Sequence, residues 1–141
     1  MSIDSPRGGA APTALRREGS PLKYHHIGIP TTEERPGEVY LEKYGMSVVG
    51  FENSDYGVEW LRFEPDSPLP DLAKTVPHIA FVVDDIAKAI KGKDVLIEPN
   101  SPIPGVTVAF VVENGAPIEF LSFESEDHPL NTTVGGNGIS L

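Results

Sequence analysis

Two periods alternate along the middle of the chain. Val76 to Val83 is a β-branched and aromatic run that predicts a buried strand, and it passes directly into a short helix over Ile86 to Lys91, closed by Gly92. Asp84 or Asp85 caps that helix, because a short carboxylate accepts from a free backbone N–H of the first turn. Lys23 to Ile29 predicts an earlier strand, broken by Pro30, Thr31 and Thr32. A helix is expected roughly from Pro36 to Tyr44, with proline in its first turn, Tyr40 and Tyr44 on one face, and Gly45 ending it. Strands follow at Met46 to Phe51 and Val58 to Phe63, separated by a turn-like Glu52 to Gly57. After a proline-rich connector, Asp66 to Pro70, and the strand and helix already described come strands at Val95 to Glu98, Val106 to Val112 and Ile118 to Phe123. Asn114-Gly115 marks a tight hairpin turn before the last.

The pattern repeats itself. His26-Ile27-Gly28-Ile29 matches His78-Ile79-Ala80-Phe81, and a short helix can be read after each copy. Gly57-Val58-Glu59-Trp60-Leu61-Arg62-Phe63-Glu64 matches Pro117-Ile118-Glu119-Phe120-Leu121-Ser122-Phe123-Glu124. Strand alternation puts each glutamate on the face of its leucine and phenylalanine. A carboxylate among core residues is costly unless paired or bound to a metal, although a position near a strand end would leave it solvated. A lone histidine in an apolar strand is most often a satisfied core residue. Here two histidines and two carboxylates occupy matched positions: His26, Glu59, His78 and Glu119. Converging about a pseudo-two-fold axis, they would form an N2O2 site for a first-row divalent metal. The residue two beyond each histidine is small (Gly28 and Ala80), which leaves room for an ion or serves packing.

Composition narrows the chemistry. The chain has 141 residues, suited to one domain, and no cysteine, which excludes disulfides, thiolate catalysis and cysteine–zinc sites. Hydrophobic content of 39% is that of a globular protein, and no apolar run reaches transmembrane or signal-peptide form, so a cytoplasmic protein is expected. A net charge of −10 makes nucleic acid and anionic membranes poor partners. Residues 1–20 read as a flexible arm and 125–141 as a tail, leaving one domain over 21–124 with modules of about 21–70 and 71–124.

The paired plan resembles the vicinal oxygen chelate superfamily, which includes glyoxalase I, methylmalonyl-CoA epimerase, extradiol dioxygenases, fosfomycin-resistance enzymes and bleomycin-binding proteins. The resemblance rests on His25-His26-Ile27-Gly28-Ile29, on Val76-Pro77-His78-Ile79-Ala80 through Asp84-Asp85-Ile86, and on Gly115-Ala116-Pro117-Ile118-Glu119-Phe120-Leu121. It implies an α+β fold of two βαβββ modules forming a cupped mixed sheet around a metal. Carried over by position, His26 and His78 open the modules, and Glu59 and Glu119 lie on their last strands. The first module is shortened: Gly45 to Glu59 is too brief for three full strands after a helix. Either a strand is lost, or Val58 to Phe63 is a middle strand and Glu59 is no ligand. His25 is expected to face outward, and His128 is given no role.

What the resemblance implies for function follows from the ligand count. With four protein ligands, one divalent ion (Zn, Ni, Co, Mn or Fe) would chelate two neighbouring oxygens of a small oxygenated metabolite and stabilise an enediolate or enolate, with Glu119 or Glu59 as base, in a lyase or isomerase reaction. With three ligands, His26, His78 and Glu119, the site becomes a two-histidine one-carboxylate triad open to dioxygenase chemistry. A third possibility is a metal-free, bleomycin-resistance-like protein that sequesters a ligand. Beyond the arm the only arginines are Arg35 and Arg62, and Arg62 faces away from Glu59, which argues against glutathione or coenzyme A as substrate. Strand edges and a shallow cup predict a homodimer, with Tyr40, Tyr44 and Trp60 as candidate contacts.

Overall fold

The structure, a computed structural model, describes residues 22–132; the arm at 1–20 and the tail beyond 132 lie outside the described residues. Eight strands form one mixed sheet: β1 (Lys23–Pro30), β2 (Val39–Leu41), β3 (Met46–Val49), β4 (Val58–Phe63), β5 (His78–Val82), β6 (Asp94–Asn100), β7 (Val106–Glu113) and β8 (Ala116–Phe123). Two short helices accompany them, α1 (Asp71–Thr75) and α2 (Ile86–Ile90). The strand order is β2-β3-β4-β1-β5-β8-β7-β6. Each half therefore reads the same way from the centre outward: a first strand (β1 or β5) lies parallel to the last strand of its module (β4 or β8), and the rest follow antiparallel. The two halves meet where β1 pairs antiparallel with β5. This is an α+β cupped sheet of two matched modules.

The helix expected from Pro36 to Tyr44 does not form. Gly37 has φ of +86°, a left-handed conformation that interrupts any helix there. Val39–Leu41 instead pairs with β3, Val39 opposite Val48 and Leu41 opposite Met46. Only a single 3-10 turn, Glu42–Tyr44, follows before Gly45 adopts its left-handed cap at φ +59°. What the first module lacks is therefore its helix, not a strand. Both readings of the short spacing are corrected: no strand is lost, and β4 is the last strand of its module, pairing Gly28 with Glu59. Too few residues separate β1 from β3 to supply both a helix and a third strand.

In the second module the expected helix is present. Asp85 Oδ1 accepts from Lys88 N at 3.0 Å, so the second of the two aspartates is the cap. Ile86 of α2 joins Val83, Ala109, Val111 and Phe120 in a core on the convex side of the sheet. The concave side carries a separate cluster, Ala80, Val106, Val108 and Leu121. β8 serves both: Ile118 and Phe120 face outward, Glu119 and Leu121 inward. Asn114 and Gly115 both take positive φ, 53° and 79°, as the predicted tight turn requires. The helix α1, between the modules, has no counterpart in the sequence reading.

Candidate metal site

Strand pairing alone brings the four matched residues together. Across the centre of the sheet, His26 lies opposite Ala80, which lies beside Glu119; Gly28 lies opposite His78 and beside Glu59. The small residues thus sit between the donors of two rows. At Gly28 the need is steric: an added Cβ would stand 2.2 Å from Cε1 of His78, so the imidazole occupies the space a side chain would need.

His26, His78 and Glu119 converge. His78 Nε2 is 3.0 Å and His26 Nε2 is 3.2 Å from Glu119 Oε1, and the two imidazole nitrogens are 3.2 Å apart. All three residues are buried. Two nitrogens and an oxygen, each about 2.0–2.2 Å from one tetrahedral ion, would lie about 3.4 Å from one another. The observed spacings are within a few tenths of an ångström of that, so the donor set fits a first-row divalent metal. Glu59 stands apart. Its Oε1 is 3.7 Å from His26 Nε2, beyond hydrogen-bond reach, and its side chain keeps 20% of its exposure. It faces the same cavity as the trio.

The electrostatics separate the two carboxylates. Burial opposes ionisation of Glu119, but the hydrogen bonds from His26 and His78 outweigh it and hold the carboxyl well below the usual carboxylate range. Burial pushes Glu59 up, and the neighbouring imidazoles offset this only in part. Burial likewise opposes charge on His26, yet hydrogen bonding to Glu119, aided by the charge of Glu59, raises its pKa above the ordinary histidine value.

His25 is not outward-facing. β1 advances two residues, Tyr24 to His26, where β5 advances one, Phe81 to Ala80, so His25 is the extra residue of a β-bulge. The bulge turns His25 to the same side as His26, buried and stacked on Phe51 with ring centroids 4.6 Å apart. Its Nδ1 lies 2.7 Å from His26 Nδ1, and its Nε2 lies 2.6 Å from the carbonyl oxygen of Leu130. A carbonyl only accepts, so His25 Nε2 carries a hydrogen. Burial lowers the pKa of His25, which keeps it neutral and leaves Nδ1 as the acceptor. His26 Nδ1 must then donate, which leaves His26 Nε2 facing Glu119 and His78: protonated, it donates to Glu119, and once deprotonated it offers its lone pair to an ion. A bulge has no periodicity of its own, and only the doubled histidine hinted at this relay.

The tail contributes more than expected. His128 Nε2 donates to the carbonyl oxygen of Pro104 at 3.0 Å, and its Nδ1 accepts from Leu130 N at 3.1 Å, which anchors the segment that supplies the Leu130 carbonyl. Across the mouth of the cup, Tyr44 of the first module hydrogen-bonds the Asn100 side chain of the second. Arg62 faces away from Glu59, as expected, and forms a two-pronged pair with Glu38 at 2.7 and 2.9 Å. Among the described residues no helix is long and apolar enough to cross a membrane.

No protein-family model matches the chain, and no curated protein matches it. Among solved structures, hypothetical protein BH1468 from Bacillus halodurans C-125 is similar, with a TM-score of 0.58 and 22% identity over 74% of this chain and 96% of that one. At that identity the likeness concerns the fold, a curled mixed sheet of the same kind.

Proposed function

We propose that the chain is a metal-dependent lyase or isomerase of the vicinal oxygen chelate type, acting on a small oxygenated metabolite. The observation that carries this is the convergence of His26 Nε2, His78 Nε2 and Glu119 Oε1 within 4.8 Å of one another against an apolar cavity. A divalent ion held there would supply Lewis acidity to two neighbouring oxygens of the substrate. The protein's own residues divide the remaining work. Glu119, pinned by two imidazoles, is a ligand and a poor base. Glu59, beside the trio with no hydrogen bond from His26, would serve as the base rather than as a fourth ligand, taking a proton from a substrate carbon and returning it elsewhere, so the lyase or isomerase reading no longer depends on a four-ligand set. The apolar walls keep competing water away from that transfer.

A second reading rests on the same trio. Two histidines and one carboxylate, with Glu59 outside the set, are also the donor pattern of non-haem iron oxygenases. A third, a metal-free ligand-sequestering protein, gains nothing from the tight trio. Metal analysis of the purified protein tests the proposal: about one equivalent of ion per chain supports an enzyme, and none supports a binder. Oxygen consumption with the iron form would favour the second reading.

The proposal extends to a homodimer. β2 is an edge strand on which Val39 and Tyr40 are 58% and 55% exposed. Tyr44, another candidate contact, is half-buried, lines the cavity as Val39 does, and bonds Asn100. Light scattering at micromolar concentration gives twice the chain mass if this holds.

A further inference from the structure

The cavity above the trio measures about 300 Å³, the lower end of the range for small-molecule sites. His26, His78 and Glu119 lie together in its wall, with Glu59 beside them. Its walls are hydrocarbon: Leu61 and Phe63 from β4, Val108 and Phe110 from β7, Leu121 from β8, and Ile103 from the loop before β7. Among the described residues no lysine, arginine, serine or threonine side chain lines it. Two further polar side chains, Tyr44 and Asn100, bond each other and keep for a ligand one Nδ2 hydrogen and the hydroxyl lone pairs. Tyr44 bonds Asn100 Oδ1, and Asn100 Nδ2 donates to the carbonyl oxygen of Glu98 at 2.8 Å. The other charged lining residue, Glu52, is acidic and repels an anion.

These features constrain the occupant. A carboxylate or phosphate group on the body of a ligand would be buried against hydrocarbon with no cationic partner, at a cost of several kcal/mol; an ammonium group could meet Glu52. Oxygens at one end meet the donors of the trio. We infer that this site takes a small molecule with two neighbouring oxygens at one end and, at the other, a hydrocarbon body, aliphatic or aromatic, that carries no anionic group. The inference rests on the metal reading for the oxygen end and on the walls alone for the body.

A series of straight-chain hydroxamic acids with two, four and six carbons separates the two parts, because each presents two adjacent oxygens and differs only in its body. A six-carbon hydroxamate ending in a carboxylate completes the set. Affinities are measured by NMR titration against zinc-loaded and metal-free protein. The expected result is an affinity that rises about fourfold per methylene in both forms, since the walls do not depend on the ion. The carboxylate-ended compound should bind at least tenfold more weakly than its uncharged six-carbon counterpart. A rise with chain length that is equal in both forms, with no gain from zinc, supports the hydrocarbon body and contradicts the metal reading. A flat series, or a carboxylate-ended compound that binds as well as the uncharged one, overturns the inference. If zinc then still tightens every member, the metal reading stands without it.

Discussion

The two modules share their strands and their donor pair, yet they hold their carboxylates differently. Glu119 of the second is fixed by both imidazoles at 3.0 and 3.2 Å, whereas Glu59 of the first has only a 3.7 Å approach to His26. The backing differs as well. Behind β8 stands α2, which covers Phe120 and Val111 in a closed core. Behind β4, among the described residues, there is no helix; the Arg35 guanidinium lies 4.1 Å over the Trp60 ring, and Glu38 clamps Arg62. In the second module a packed helix supports a fixed ligand, and in the first a looser cover accompanies a carboxylate that is free to act. A duplicated scaffold can thus give one copy of a residue to binding and the other to chemistry.

The largest effect should come from the residue that makes room between the modules. Gly28→Ala places a methyl 2.2 Å from the His78 ring, which must leave its position. Zinc affinity should fall at least a hundredfold and stability by about 1–3 kcal/mol, read by metal titration and chemical denaturation. Ala80, at the matched position in the second module, already carries that methyl, so Ala80→Gly should leave metal affinity within a few-fold.

His25→Phe keeps the stack on Phe51 but removes the hydrogen-bond relay from Leu130 to His26. A group that hydrogen-bonds the far nitrogen of a metal-bound histidine contributes about 10–100-fold in affinity, and a loss in that range is expected. The imidazole nitrogen shifts of His26 in the metal-free protein should change with it, a signature that packing alone does not produce.

Metal affinity should also depend on pH through the first module. The pKa of His26 is raised, so its Nε2 holds a proton at pH values where an ordinary histidine is already neutral. Proton and ion compete for one lone pair. Affinity should therefore increase with pH up to that raised pKa, by at most about tenfold per unit, and level off above it. Competition titrations between pH 5 and 8 check the sign; a fall in affinity as pH rises would contradict it.

The smallest effect concerns the first module's cover. Arg35→Ala removes the cation over Trp60 and should lower stability by about 0.5–1 kcal/mol in denaturant unfolding, without touching metal affinity.

The sequence carried the strands and the matched donors because both follow from local rules. Alternation puts Glu59 and Glu119 on the inner face, and the internal match pairs His26 with His78. It did not carry the exchange of a helix for a strand at Val39–Leu41. There the local signals, a proline, two tyrosines spaced by four and a closing glycine, were outweighed by pairing with β3. Nor could periodicity reveal His25, whose inward turn depends on a bulge set by the register of β5. The Leu130 carbonyl and the Tyr44–Asn100 contact are tertiary meetings of residues 105 and 56 positions apart, for which a single chain reading has no signal.

The division of labour between the carboxylates is tested most directly by zinc titration of Glu119→Gln and Glu59→Gln beside the unaltered protein. If Glu119 is a ligand and Glu59 is not, Glu119→Gln loses affinity by about a hundredfold or more, while Glu59→Gln stays within about threefold and changes stability by less than about 0.5 kcal/mol. Comparable losses in the two variants would make Glu59 a fourth ligand and contradict the asymmetry between the modules.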